Sequence, residues 1–157
     1  MLSTALALSA LAALACAVVY GTDVFAGLVL RPALAALDDS ALVQAAGRIH
    51  EYADQRMPLP GAVGTLATAG ATLTAGLGNH PLQTLLASGA LVALLAWLVL
   101  YLRIAAPINR RLTNAAAAHE IPADARQLQK RWDSIIGLRI ALQTVALMLL
   151  VSVLAFT

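Results

Sequence analysis

The chain has 157 residues, of which 61% are hydrophobic and 11% charged, and its formal net charge is +2. Soluble domains carry roughly a quarter charged residues, and a chain this short cannot bury so large an apolar fraction in one core, so the composition excludes an ordinary soluble domain and makes lipid the solvent. The basic excess then serves membrane orientation and contact with anionic headgroups, which argues against nucleic acid as a partner. The single cysteine, Cys16, lies inside an apolar run, so there is neither a disulfide framework nor a cysteine metal site.

The first apolar run has Ala-x-Ala triplets that resemble a signal peptide, but it lacks a positive n-region and continues to Leu30. At about 29 residues it is long enough to cross a bilayer with tilt. Arg31-Pro32 is expected to stop it, because proline cannot donate to the preceding turn. Asp38-Asp39-Ser40 then offers a helix N-cap. From Leu42 the apolar positions Leu42, Ala45, Ala46, Ile49 and Ala53 recur at helical spacing, with Arg48, Glu51, Gln55 and Arg56 on other faces.

Met57-Pro58-Leu59-Pro60 marks a break before a second span whose Gly, Ala and Thr permit close helix packing, including packing against another copy of the chain. Gly78-Asn79-His80-Pro81 is an uncharged turn. The third span closes on Trp97 and Tyr101, which suit an interfacial aromatic belt, and Pro107-Ile108-Asn109 breaks away from it. A partly helical polar connection follows, with residues 119–124 as its turn, before the last span.

The fold expected is therefore all-α: a four-helix transmembrane bundle in a single integral membrane domain, with spans at about 2–30, 59–77, 82–102 and 135–156 and an amphipathic cytosol-side helix before the second. Apart from Asp23, every charged side chain lies within residues 31–56 or 103–139. The connections carrying them share one side, which the positive-inside rule makes cytosolic, and both termini face away from it.

Asp23 is an ionisable group within a span, which makes it a functional-site candidate with a partner to be found. It lies eight residues, or roughly 12 Å, inside Arg31, and Arg139 lies eight residues inside Arg131, so the two reach similar depth and are expected to pair. Such a pair serves either a polar pocket or structure alone. Trp132, Ile136, Arg139 and Gln143 share one helix face, directed inward toward Tyr20 and Asp23. His50 and Asp54, four apart, could share a proton or a metal. Two ligands without an H-E-x-x-H or a second Glu/His motif do not make a dedicated metal centre, so no cofactor is expected beyond the option of a metal at His50 and Asp54.

Three elements carry a resemblance: Arg56-Met57-Pro58 before the second span; Tyr101-x-Arg103 with Pro107-Ile108-Asn109 after the third; and Arg131-Trp132-Asp133 followed by Arg139. In this order, over nearly the whole chain, they resemble the small four-helix membrane proteins grouped with the fungal anthrone oxygenases. The resemblance implies a bacterial inner-membrane protein and an oxidoreductase that uses dioxygen on a hydrophobic phenolic or polyketide-like substrate without a cofactor. It carries over Arg56, Arg103, Asn109, Arg131, Trp132 and Arg139 by position. The chain departs from the family's R-W-x-x-x-H-x-x-R run, with Ile136 where the histidine stands, and has Ala125 where an aromatic follows the aspartate.

On this reading His50 or Asp23 is the base and Arg139 or Arg131 stabilises an enolate. Tyr20, Asp54, Arg56, Arg103, Asn109, Trp132 and Gln143 complete the substrate pocket. The other class compatible with the sequence is a non-catalytic membrane protein that binds a lipid or quinone-like ligand or serves as an accessory subunit.

Overall fold

The computed structural model describes residues 1–156, which form helices joined by short turns, with no strand among the described residues. Helix α1 spans Leu2–Phe25, passes through a π-helical turn at Ala26–Leu30 and continues as α2, Arg31–Ala35. The amphipathic α3 (Asp39–Arg56) leads through Met57 into α4 (Pro58–Leu77), which turns at residues 78–80 into α5 (Pro81–Leu100). A second π-helical turn, Tyr101–Ala105, joins α5 to α6 (Ala106–Ala118), and α7 (Ala125–Ala155) closes the chain. Three continuous rods, Leu2–Ala35, Pro81–Ala118 and Ala125–Ala155, are long and apolar enough to cross a membrane.

Two of these rods run past the points where the sequence predicts a stop. In each case a π-helical turn ends two residues before a proline, Pro32 or Pro107. A proline leaves the carbonyl one turn back without a donor, and the wider register absorbs the fault, with Arg31 N–H donating to the Ala26 carbonyl and Ala106 N–H to that of Tyr101. The rods therefore continue where a break is expected. The last helix likewise starts at Ala125, ten residues before the apolar run, because its polar first turns pack on the charged end of the molecule.

Helix α1 packs against α4 and α7, and α5 packs against the same two. The expected small-residue face of α4 packs closely on α1: Gly64, Ala67, Thr68, Ala71 and Ala75 are buried, and a Cβ on Gly64 would lie 2.7 Å from Cys16 Sγ. Helix α4 is 20 residues long, and its prolines, glycines and threonines dilute its hydropathy below that of the three long rods. Four threonine hydroxyls on it donate back to its own carbonyls, so these polar groups cost little in an apolar setting.

The charged end is a second layer of packing. The Asp38 carboxylate caps α3 by accepting from Ala41 N–H at 2.8 Å. Leu42, Val43, Ala46, Gly47 and His50 form the buried face of α3, and α6 is its main partner. The approach is so close that a Cβ on Gly47 would meet Ala116 Cβ at 2.4 Å and the Leu112 carbonyl oxygen at 2.5 Å, so only glycine fits. Arg126 ties α7 to the turn before α3 through Asp39 and the Leu37 carbonyl, and Arg111 holds Asp124 by two 3.0 Å bonds. At the other end, Gln83 donates to the Phe156 carbonyl at 2.8 Å and Gly78 lies against Met1, so both termini meet the uncharged turn.

Candidate functional site

Asp23 and Arg139 meet inside the helices. Arg139 donates Nε–H to Asp23 Oδ2 at 3.1 Å and Nη2–H to Oδ1 at 2.8 Å, a two-pronged pair with both residues buried. Gln143 donates to Oδ2 at 2.5 Å and the Trp97 indole N–H to the same oxygen at 3.2 Å. Four donor contacts thus saturate the carboxylate, which fits it for a fixed counter-ion and leaves it little capacity to take a proton from a substrate. The guanidinium carbon lies 5.6 Å from the centroid of Trp97, 5.8 Å from Tyr101 and 5.7 Å from Trp132. Three aromatic faces within cation–π range therefore surround a charge that is otherwise expensive to bury. Nη1 of Arg139 makes no hydrogen bond among the described residues.

A second network runs from this cage to the charged end. Trp132 Nε1–H donates to Asn109 Oδ1 at 3.0 Å, Asn109 Nδ2 donates to Asp54 Oδ1 at 2.9 Å, and the Tyr101 hydroxyl donates to the same Asp54 oxygen at 2.9 Å. Asp54 forms no salt bridge among the described residues. One turn earlier on α3, the His50 ring stands 5.5 Å from Trp132, and its Nε2 is buried without a hydrogen-bond partner. Burial pushes the His50 pKa down to about 4; the Asp54 charge pulls it up and the Arg139 charge adds to the lowering. The imidazole is neutral at physiological pH.

These groups line one cavity of about 490 Å³, within the range of small-molecule sites. Asp23, His50, Asp54, Trp97, Tyr101, Asn109, Gln129, Trp132 and Arg139 supply its polar and aromatic wall, and the rest is mainly aliphatic. Pro58, Ala62, Leu66 and Leu102 line it while being exposed at the molecular surface, so its rim is apolar where acyl chains would stand.

The structure thus brings together Asp23, His50, Asp54, Asn109, Trp132 and Arg139 around the cavity, with Gln143 behind the carboxylate. It does not bring the others there. Tyr20 is half-buried and outside the lining, one turn further from the charged end than Asp23. Arg56, Arg103 and Arg131 are exposed and outside it, and Arg56 instead lies 4.8 Å over the Tyr52 ring. Ile136 is buried in an apolar cluster with Ala26, Leu34 and Trp132. No group of three potential metal ligands occurs among the described residues, so His50 and Asp54 gain no third partner.

Sequence reasoning missed Trp97 as a partner of Asp23 and Gln129 as a lining residue. Trp97 satisfies the interfacial-belt pattern equally well, and only its four-residue spacing to Tyr101 marked a shared face. Gln129 stands seven residues before Ile136 and three before Trp132, a helical spacing that places it on the same side of α7. Comparison of the chain with protein-family models, curated proteins and solved structures finds no match.

Proposed function

We propose that the chain is a membrane-embedded oxygenase of a flat, hydrophobic, enolisable phenolic molecule, acting without a cofactor from within a four-helix transmembrane arrangement whose fourth member is α4. The observation that carries this reading is the neutral His50 and the buried Arg139, with its free Nη1, on the wall of one largely apolar cavity. A base and an oxyanion donor are the two groups such chemistry needs.

His50 takes a proton from the substrate CH2 that stands across the ring from the carbonyl and is conjugated with it through the fused rings, and the charge spreads onto the carbonyl oxygen, where the Arg139 guanidinium holds it. The electron-rich carbon then reacts with dioxygen to form a carbon–oxygen bond. The resulting peroxide loses water, so that one CH2 and one O2 become one C=O and one H2O, and His50 returns its proton to the departing oxygen. Asp23 fixes Arg139 and keeps the site neutral as a pair. Trp97, Tyr101 and Trp132 offer faces for a planar ring.

The charged connections lie on the cytosolic side and both termini on the other, with a bacterial inner membrane as the setting. The test is oxygen uptake by protein in lipid nanodiscs supplied with anthrone. One O2 consumed per substrate, at least about tenfold slower in His50→Phe, is expected; uptake no faster than with empty discs overturns the enzymatic reading. Ile136 favours a second reading, a non-catalytic receptor for a quinone-like or lipid ligand, because an aliphatic core residue occupies the place of the family's histidine. Saturable binding with no oxygen uptake would select it.

A further inference from the structure

Gln129 is 6% exposed and belongs to the cavity wall, yet it takes no part in the chemistry above. Its amide nitrogen donates to Asp133 Oδ1 at 2.9 Å. A carboxylate only accepts, so this bond fixes which way the amide points and makes the other atom, Oε1, an acceptor. That oxygen is buried and has no hydrogen-bond partner, and the only other such side-chain atoms among the described residues are His50 Nε2 and Ser9 Oγ. An amide carbonyl left without a donor in a dry interior is costly, and the cost is recovered by any occupant that offers one. Gln129 lies one turn before Trp132 on α7, the Trp132 ring is 5.5 Å from that of His50, and all three residues line the cavity.

We propose that Gln129 is a specificity-determining residue: its Oε1 accepts a hydrogen bond from a hydroxyl of the cavity's ligand, so the site selects hydroxyl-bearing planar molecules over analogues whose oxygens can only accept. This rests on the cavity being a ligand site, as proposed above, and adds which ligands it takes. A molecule whose hydroxyl oxygen is oxidised to a carbonyl loses the donor and faces Gln129 with two acceptors in opposition, so the hydroxylated, reduced form is held and the oxidised form is not. Asp133 acts as a positioning residue through the amide.

The test uses protein in nanodiscs and equilibrium dialysis of 1-naphthol and 1-methoxynaphthalene, each corrected for uptake by empty discs. Wild-type protein is expected to prefer the naphthol by about tenfold, and Gln129→Met to lose most of that preference with the ether bound as before. Asp133→Asn, which allows the amide to turn over, is expected to reduce the preference in the same direction, an effect a merely structural role of Gln129 would not give. Should Gln129→Met fail to fold, Asp133→Asn decides alone. A preference for the naphthol that survives both changes overturns the role of Gln129 and leaves the cavity standing as a ligand site. Failure of both compounds to bind wild-type protein overturns the cavity reading and this one with it.

Discussion

A charge inside an apolar helix is tolerable only with its partner in place, and Asp23 and Arg139 make each other tolerable. Breaking one side leaves the other buried without compensation, so Asp23→Asn or Arg139→Gln is expected to destabilise the protein by about 3–5 kcal/mol, measured by thermal or denaturant unfolding in detergent. A double change to leucine and methionine is expected to cost far less than the sum, since it removes both charges together. His50 adds a pH dependence. Its folded pKa, about 4, lies below the ordinary histidine value, so between that value and about 4 the unfolded chain binds a proton that the folded chain does not. Stability is therefore full above the unfolded value near 6.5 and falls as the pH is lowered through that window. His50→Phe should flatten that slope. A histidine with an unchanged slope after substitution would show that the ring is not buried neutral.

At this scale the sequence was informative where chemistry is rare and silent where it is common. A lone aspartate and a lone arginine in apolar runs can pair with little else, so their partnership was legible. An indole near the end of a span is equally at home at an interface or against a carboxylate, so Trp97 was not. Asp54 on α3 meets Tyr101 and Asn109 on the Pro81–Ala118 rod, and a bond linking residues 54 and 101 leaves no trace in local spacing.

Elements meet here through small residues, and two glycines carry that argument. A methyl on Gly47 would strike Ala116 and the Leu112 backbone, neither of which can yield without moving α6. Gly47→Ala is expected to cost about 1–3 kcal/mol and to loosen α3, which would show as faster hydrogen exchange at residues 42–50. Gly64 differs, because the atom in the way is the Cys16 sulfur. Gly64→Ala should destabilise, and adding Cys16→Ala should restore most of the loss; an additive double variant would mean that the α1–α4 contact is not as close as described.

Helix continuity was the least legible property. Proline is a sound stop signal in water, yet next to Pro32 and Pro107 a wide turn lets the rod proceed. Both wide turns contribute to the cavity, through Ala26 and Leu30 in one and Tyr101 and Leu102 in the other. The break at Met57 and the cap at Asp38 were readable because each depends on local backbone chemistry alone.

Over the whole molecule, charge segregation and packing agree. The termini and the 78–80 turn lie together, and the arginine-rich connections lie at the opposite end. The orientation proposed above, with both termini on the non-cytosolic side, rests on applying the positive-inside rule to that segregation. A reporter that fluoresces only in the cytosol, fused after Thr157, is expected to stay dark, and one fused into the 119–124 turn to shine; the reverse would invert the orientation. The all-helical architecture followed from apolar run lengths, whereas the closed helical layer at the charged end did not, since the period in α3 marks an apolar face without naming α6 as the element that covers it through Leu42, Val43 and Gly47.

The most direct measurement exploits the fact that the chain has only two tryptophans, Trp97 and Trp132, and that both line the cavity beside Arg139. Their emission in nanodiscs is to be followed while a bromine-substituted naphthol is added. Saturable quenching of both indoles, weakened at least about tenfold by a properly folded Arg139→Lys variant that cannot make the two-pronged contact, is the expected result. Quenching that rises linearly with the concentration of compound in the lipid and is the same in the variant would mean that no ligand occupies the cavity, and would contradict the account.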